Sequence, residues 1–209
     1  MAIDHTGLNG IPLFPYESNW ATNPSIKLTP RKQIVGFPGT SQDLTSLSQS
    51  IRMDLQIELL FNTKIIEKTF FDFFDARKGR LERFWIKKPL VNYSLYATCL
   101  TTAPTIDINS SDLDLTYRGH ERIFIDHLNG NSCIKHITDL AVNTSPDYLT
   151  LTLDAVVTDT WIVGDPQIRM GQVKLVRFDQ DDLVVDYTTD RVSKVTLKMV
   201  ELIYEYAEI

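Results

Sequence analysis

Ser50-Ile-Arg-Met-Asp-Leu-Gln-Ile-Glu-Leu-Leu-Phe61 runs directly into Asn62-Thr-Lys-Ile-Ile-Glu-Lys-Thr-Phe-Phe-Asp-Phe-Phe-Asp-Ala-Arg-Lys-Gly79, and the two stretches carry different periods. In the first, Ile51, Met53, Leu55, Ile57 and Leu59 alternate with Arg52, Asp54, Gln56, Glu58 and Leu60. Successive side chains of a strand point to opposite faces, so this pattern predicts a strand with one buried and one wet face. In the second, Ile66, Phe70, Phe73 and Phe74 recur at helical spacing. That spacing predicts an amphipathic helix over about 63–78 that buries those four residues against a sheet. Asn62 or Thr63 offers the N-cap oxygen. Arg77 and Lys78 complement the negative end of the helix dipole, and Gly79 suits the left-handed residue that stops a helix.

Working outward, residues 1–25 are rich in Gly, Pro and Asn, with Pro12, Pro15 and Pro24 blocking regular hydrogen bonding, and read as an extended arm or coil. Ile26–Val35 is a strand candidate, and 36–46, punctuated by Pro38 and Gly39, reads as loop. Arg80–Ile86 reads as a strand that ends before Pro89, while 91–118 offers only a short strand and loops around Leu100–Ser111. Arg122 to Ile137 reads as a hairpin about a two-residue Asn129-Gly130 turn. Tyr148–Leu153 follows a Ser145-Pro146-Asp147 turn, and Val173–Phe178 with Leu183–Tyr187 suggests a second hairpin around Asp179–Asp182. In Val192–Tyr206 the apolar phase changes at Met199–Val200, which a β-bulge explains. The expected fold is mainly β (α+β): antiparallel sheets packed as a sandwich or partial barrel, with one helix at about 63–78. The expected organisation is an arm over 1–25 and a single β-rich domain over 26–209, with 91–145 as an inserted or variable lobe.

The 209 residues are 43% hydrophobic and 23% charged, values that provide a core and do not suit disorder. A net charge of −6 and a pI near 5.2 argue against binding nucleic acid through its phosphates, which needs clustered Lys and Arg. The first residues have neither a basic start nor an apolar run, so they do not read as a secretory signal, and no apolar stretch approaches the roughly 20 residues of a membrane span. Cys99 and Cys133 are expected to be reduced, core-type side chains, with a single disulfide as the alternative.

One group has a catalytic composition: His120, Glu121, Asp126, His127, Cys133 and His136. A turn at Asn129-Gly130 pairs Asp126 with Cys133 and Ile123 with His136. Cys133 then faces away from both His127 and His136, which do share a face but stand roughly 13 Å apart, too far for one metal. These residues read as polar strand positions. Phosphate-loop, zinc and nucleophile-elbow motifs are missing from the sequence, and Asp179, Asp181, Asp182 and Asp186 lack calcium-loop spacing, so they read as an acidic turn. The run Phe70–Phe74 reads as a core-facing stripe, with an exposed interaction patch as the alternative.

Phe70-Phe-Asp-Phe73-Phe74-Asp-Ala-Arg77-Lys-Gly79-Arg80-Leu-Glu-Arg-Phe84-Trp85-Ile resembles a signature of tail proteins of long-tailed phages and gene transfer agents, in which a helix ends in an Arg-x-Gly-Arg turn before an aromatic strand. Asn19-Trp20 with Ser25-Ile-Lys-Leu28 resembles the opening region of that family. Leu175–Asp179, Leu183–Tyr187 and Val192–Glu201 resemble its closing strands. The likeness covers about 20–86 and 170–206 in order; little of 91–145 takes part. The resemblance implies a distal tail (tail-tip) structural protein of the virion, assembled in the host cytoplasm. It implies no enzyme activity, catalytic residue, cofactor or metal. It further implies a symmetric homo-oligomeric ring, a hexamer by family analogy, which meets the tail tube protein and the hub or fibre proteins while DNA passes without specific binding. Two other classes stand beside this expectation. One is a host-surface carbohydrate- or protein-binding module; the other, less favoured, is a cell-wall or polysaccharide hydrolase, which needs a pair of carboxylates in a cleft.

Overall fold

The computed structural model describes residues 10–16, 24–30, 33–35, 43–45, 51–88, 93–109, 121–127, 132–144, 147–157 and 159–202. Strands β1 (Ser25–Pro30), β2 (Gln33–Val35), β3 (Asp43–Thr45) and β4 (Ile51–Phe61) precede helix α1 (Lys64–Ala76). After it come β5 (Phe84–Lys87), β6 (Thr105–Asn109), β7 (Arg122–His127), β8 (Ser132–Thr144), β9 (Asp147–Leu153), β10 (Ile168–Phe178), β11 (Val185–Tyr187) and β12 (Ser193–Glu201). The protein is mainly β. Ten strands form an antiparallel sheet in the order β1-β4-β12-β10-β7-β8-β9-β6, with β11 on β12 and β5 on β10, and the sheet is not closed into a barrel. β2 and β3 form a separate pair, so Asp43–Thr45 is a strand within what the sequence suggested was loop, and Ile26–Val35 is two strands.

The chain groups into two compact units: one formed mainly by Phe84–Lys174 with the chain up to Pro15, the other by Tyr16–Arg83 and Leu175–Tyr206. β10 contributes to each, its first half to one and its second half to the other.

In the unit of Tyr16–Arg83 and Leu175–Tyr206, β4 behaves as its alternation predicts. Met53, Leu55, Ile57, Leu59 and Phe61 are buried. β12 lies antiparallel beside it, and Leu59↔Val195, Ile57↔Leu197 and Leu55↔Met199 build one continuous apolar face. The β12 register runs unbroken from Ser193 to Val200 against β4, so there is no bulge at Met199–Val200. Met199, Val200 and Glu201 are instead buried in succession, because the end of β12 is covered on both faces. Inside, Glu201 Oε2 accepts from the Met53 N–H at 3.0 Å. Tyr204 and Tyr206 lie outside the described residues. The expected β10–β11 hairpin does not form. Both strands flank the same edge of β12 in turn, Val176–Phe178 against Met199–Glu201 and Val185–Tyr187 against Ser193–Val195.

In the unit of Phe84–Lys174, β7 pairs with β10 and β8, and β8 continues onto β9 and β6. Ile106, Ile108, Ile123, Ile125, Leu149, Leu151 and Met170 form the core together with Tyr93, Leu95, Cys99, Val157 and Trp161. A β-bulge falls between Ile137 and Asp139 on β8. Strand β5 begins at Phe84 rather than Arg80, because the chain spends 80–83 in a turn closed by Leu81 N–H to Lys78 O and Glu82 N–H to Arg77 O.

Candidate functional site

The residues singled out by the resemblance are Phe70, Phe73, Phe74, Arg77, Gly79, Arg80, Phe84 and Trp85. The helix that presents the first of them starts where expected: Thr63 is the N-cap, and its hydroxyl accepts from the Ile66 N–H at 3.3 Å. Phe70 is fully buried, its ring 5.1 Å from that of Phe61 and edge-on to Tyr16 at 5.5 Å. Phe74 packs on Phe178 at 4.8 Å, and Phe73, half-buried, meets the same ring edge-on at 6.4 Å. Ile66 is not part of this stripe; it is 41% exposed. The position facing inward is Glu67, 4% exposed, which precedes Phe70 by three and Phe74 by seven. Its carboxylate accepts from Lys64 Nζ at 2.7 Å and from the Tyr187 hydroxyl at 2.9 Å. The Lys64 hydrogen bond, with help from Tyr187 and Ser193, holds the Glu67 carboxyl below its ordinary range although burial pulls it upward. Lys64 also sits 4.2 Å from the centre of the Tyr187 ring. Sequence reading missed this clamp. The i−3 and i−7 spacing from the two buried phenylalanines was the available signal.

The helix ends on two left-handed residues, Lys78 (φ 49°) and Gly79 (φ 59°). Gly79 is buried, and a Cβ placed on it would stand 2.9 Å from Asp181 Oδ1, 3.2 Å from Asp181 Cα and 3.3 Å from the Gln180 carbonyl oxygen. Only a glycine lets the 180–181 turn approach this closely. Arg80 fixes that turn: its guanidinium donates to the Asp179 carbonyl at 3.1 Å and pairs with Asp181 at 3.6 Å, while its backbone N–H reaches Asp181 Oδ1 at 3.4 Å. The acidic turn therefore has a defined partner. The Arg77 guanidinium lies 5.8 Å from the Phe73 ring, one helical turn back.

Phe84 and Trp85 are both fully buried and belong to the other unit. The Phe84 ring meets Phe14 at 5.7 Å. Trp85 exchanges backbone hydrogen bonds with Pro12 and Phe14 (2.8 and 2.7 Å), and the Arg122 guanidinium lies 5.2 Å from its ring. The chain around Leu13 is thus held against β5 by one isolated parallel bridge, Leu13 to Trp85.

The group of catalytic composition is dispersed, and by a different register from the expected one. Arg122 opposes His136, Ile123 opposes Lys135 and Ile125 opposes Cys133, a slip of one residue from the pairing that an Asn129-Gly130 turn would impose; the turn itself and His120 lie outside the described residues. Cys133 therefore shares a face with His127, contrary to expectation, while His136 stays on the face opposite Cys133, together with Asp126, so the two histidines do not share a face. Asp126 pairs with Lys87 at 3.1 Å, and His127 stands 3.4 Å from Asp165. Both cysteines are free, and burial pushes the Cys133 thiol up to about 11, the wrong direction for a nucleophile. Among the described residues no group of three His, Cys, Asp or Glu side chains is placed to hold a metal ion, and no helix is long and apolar enough to cross a membrane.

A comparison with protein-family models finds no match for the chain, and a comparison with curated proteins finds none either.

Proposed function

We propose that this protein is a structural component of the distal end of a phage tail, a ring or adaptor between the tail tube and the host-recognition tip. The observation that carries this reading is the correspondence between sequence likeness and folding unit. The segments that resemble distal tail proteins, about 20–86 and 170–206, are separated by more than a third of the chain. Almost the same residues, Tyr16–Arg83 and Leu175–Tyr206, make up one compact unit. Within it the two segments meet directly, the signature's Gly79 and Arg80 against the 179–181 turn and Glu67, earlier on the same helix, against Tyr187. A conserved-order likeness that folds as one body is what a shared scaffold would leave, while the chain between the segments carries the part that differs.

In this reading the protein repeats around the tail axis as a closed ring, a hexamer by family analogy, with the tube protein on one side and hub or fibre proteins on the other. The net charge of −6 suits a channel wall that DNA passes without binding. Electron microscopy of assembled tails carrying a labelled copy tests the proposal. Symmetric density at the distal end of the tube is the expected result; a single copy per tail, or label confined to the capsid, refutes it.

A further inference from the structure

The geometry points to a binding face for a neutral, hydroxyl-rich oligosaccharide on the wet side of β6, β9 and β8, centred on the stacked pair Tyr96 and Tyr148. This goes beyond the tail assignment and does not rest on it. The two rings lie 4.7 Å apart at 10° from parallel, and Tyr96 is 39% exposed. They share a face because Leu95 bridges Ile108 on the core side, which turns Tyr96 outward, and Tyr148 lies opposite Asn109 and Asn143 in the two ladders.

Polar side chains surround the pair in an ordered relay. The Thr150 hydroxyl donates to Asp107 Oδ1 at 2.7 Å and accepts from Asn143 Nδ2 at 3.1 Å, while Asn109 Nδ2 donates to the Ser94 hydroxyl at 2.8 Å. The relay fixes the two amides and the carboxylate and leaves the amide oxygens and the second Asp107 oxygen as acceptors for hydroxyl donors. The face of the Tyr96 ring turned away from Tyr148 is the flat apolar surface that would meet the C–H face of a pyranose, and planar amide and carboxylate groups match pairs of vicinal hydroxyls.

Charge decides between possible occupants. The outward positions of these strands and of 94–96 hold Asp107 and Asp139 and, among the described residues, neither lysine nor arginine. Phosphate, nucleic acid and sulfated or acidic glycans would meet an uncompensated carboxylate there. A protein partner is less well matched, since the centres of protein interfaces are depleted in charge and this face carries Asp107 and Asp139.

The test is calorimetric titration of the full chain with hexasaccharides of glucose and of N-acetylglucosamine, and with a heparin hexasaccharide as anionic comparator. At least one neutral probe should bind, with Tyr96→Ala weakening it tenfold or more and Tyr96→Phe retaining it. In the unsubstituted chain the side-chain amide NMR signals of Asn109 and Asn143 should shift on saturation, a readout that does not depend on a variant folding. Absence of neutral-probe binding at millimolar concentration, preference for heparin, or binding unchanged by Tyr96→Ala overturns the inference. Tail placement is scored separately by microscopy, so either reading can fail without the other.

Discussion

Replacing Gly79 by Ala adds one methyl group at a position where two independent costs meet. The backbone is left-handed (φ 59°), which costs an L side chain roughly 1–2 kcal/mol. The new Cβ also falls 3.2 Å from Asp181 Cα and 3.3 Å from the Gln180 carbonyl oxygen, backbone atoms that cannot rotate away as the Asp181 carboxylate can. Overpacking of this kind costs about 1–3 kcal/mol. Displacing the turn would weaken the Arg80–Asp181 pair, but that pair is well exposed and is worth only about 0.2–1 kcal/mol. The two main costs together give an expected loss of about 2–5 kcal/mol, lowering Tm by roughly 2–4 °C for each kcal/mol in a chain of this size. Lys78→Gly is the control. It has the same sign of φ, and its relief of backbone strain is offset by a comparable gain in unfolded-chain entropy, so it should change stability by less than about 0.5 kcal/mol. Urea denaturation followed by circular dichroism reads both. A Gly79→Ala protein within about 1 kcal/mol of the parent would refute the claim that the 180–181 turn presses on this residue.

Three further outcomes follow from the same packing. Phe74→Ala should cost about 3–5 kcal/mol in urea denaturation and Ile66→Ala less than about 0.5, since the first leaves a cavity against Phe178 and the second removes an exposed side chain; equal effects would mean that the helix face is wrongly placed. Because the folded Glu67 carboxyl lies below its ordinary value, its contribution is complete above the unfolded pKa of about 4.5 and is lost as pH falls through the lowered folded value; Glu67→Gln should flatten acid unfolding curves in that window and leave their slope near neutral pH unchanged. Without reductant, Cys99 and Cys133 should alkylate completely in urea, and Cys133 should react slowly in the native state, where its thiol titrates near 11; an intact mass with two blocked cysteines would contradict this.

What the sequence revealed depended on how many faces of each element are buried. β4 alternates cleanly because one face is covered, and its register against β12 follows from that. β7 is buried from Arg122 to Asp126 on both faces, so its hydrophobic pattern does not distinguish the true pairing from a slip of one residue, and a turn dipeptide was a poor substitute. The same ambiguity at Met199–Glu201 suggested a bulge where the strand is simply covered twice. On the helix, hydrophobicity alone selected Ile66 over Glu67, because burial of a carboxylate depends on partners such as Tyr187 that are distant in sequence. Of the residues highlighted by the resemblance, Gly79 was legible as a helix stop, but its second role needed the turn at 180–181 to be in view. The Tyr96–Tyr148 stack left no local signal, since it joins an irregular segment to β9 across β6.

The bulge that the structure does contain explains how the unit of Phe84–Lys174 has a dry face and a wet one along a single strand. Before it, Cys133 and Ile137 point toward the core; beyond it, Leu140 packs there while Asp139, Ala141 and Asn143 point outward. Without the extra residue at Thr138, strict alternation would carry Asp139 and Asn143 onto the core side beside Leu149 and Leu151, burying a carboxylate and an amide without partners. Thr138 is accommodated by donating its hydroxyl to the Thr152 carbonyl at 3.2 Å, which keeps the local ladder satisfied. One residue thus sets which side of β8 joins the hydrophobic core and which joins Asp107, Thr150 and Tyr148. The relay around the tyrosine pair is therefore a consequence of backbone register, and the same register that closes the core supplies Asn143 to the outer face.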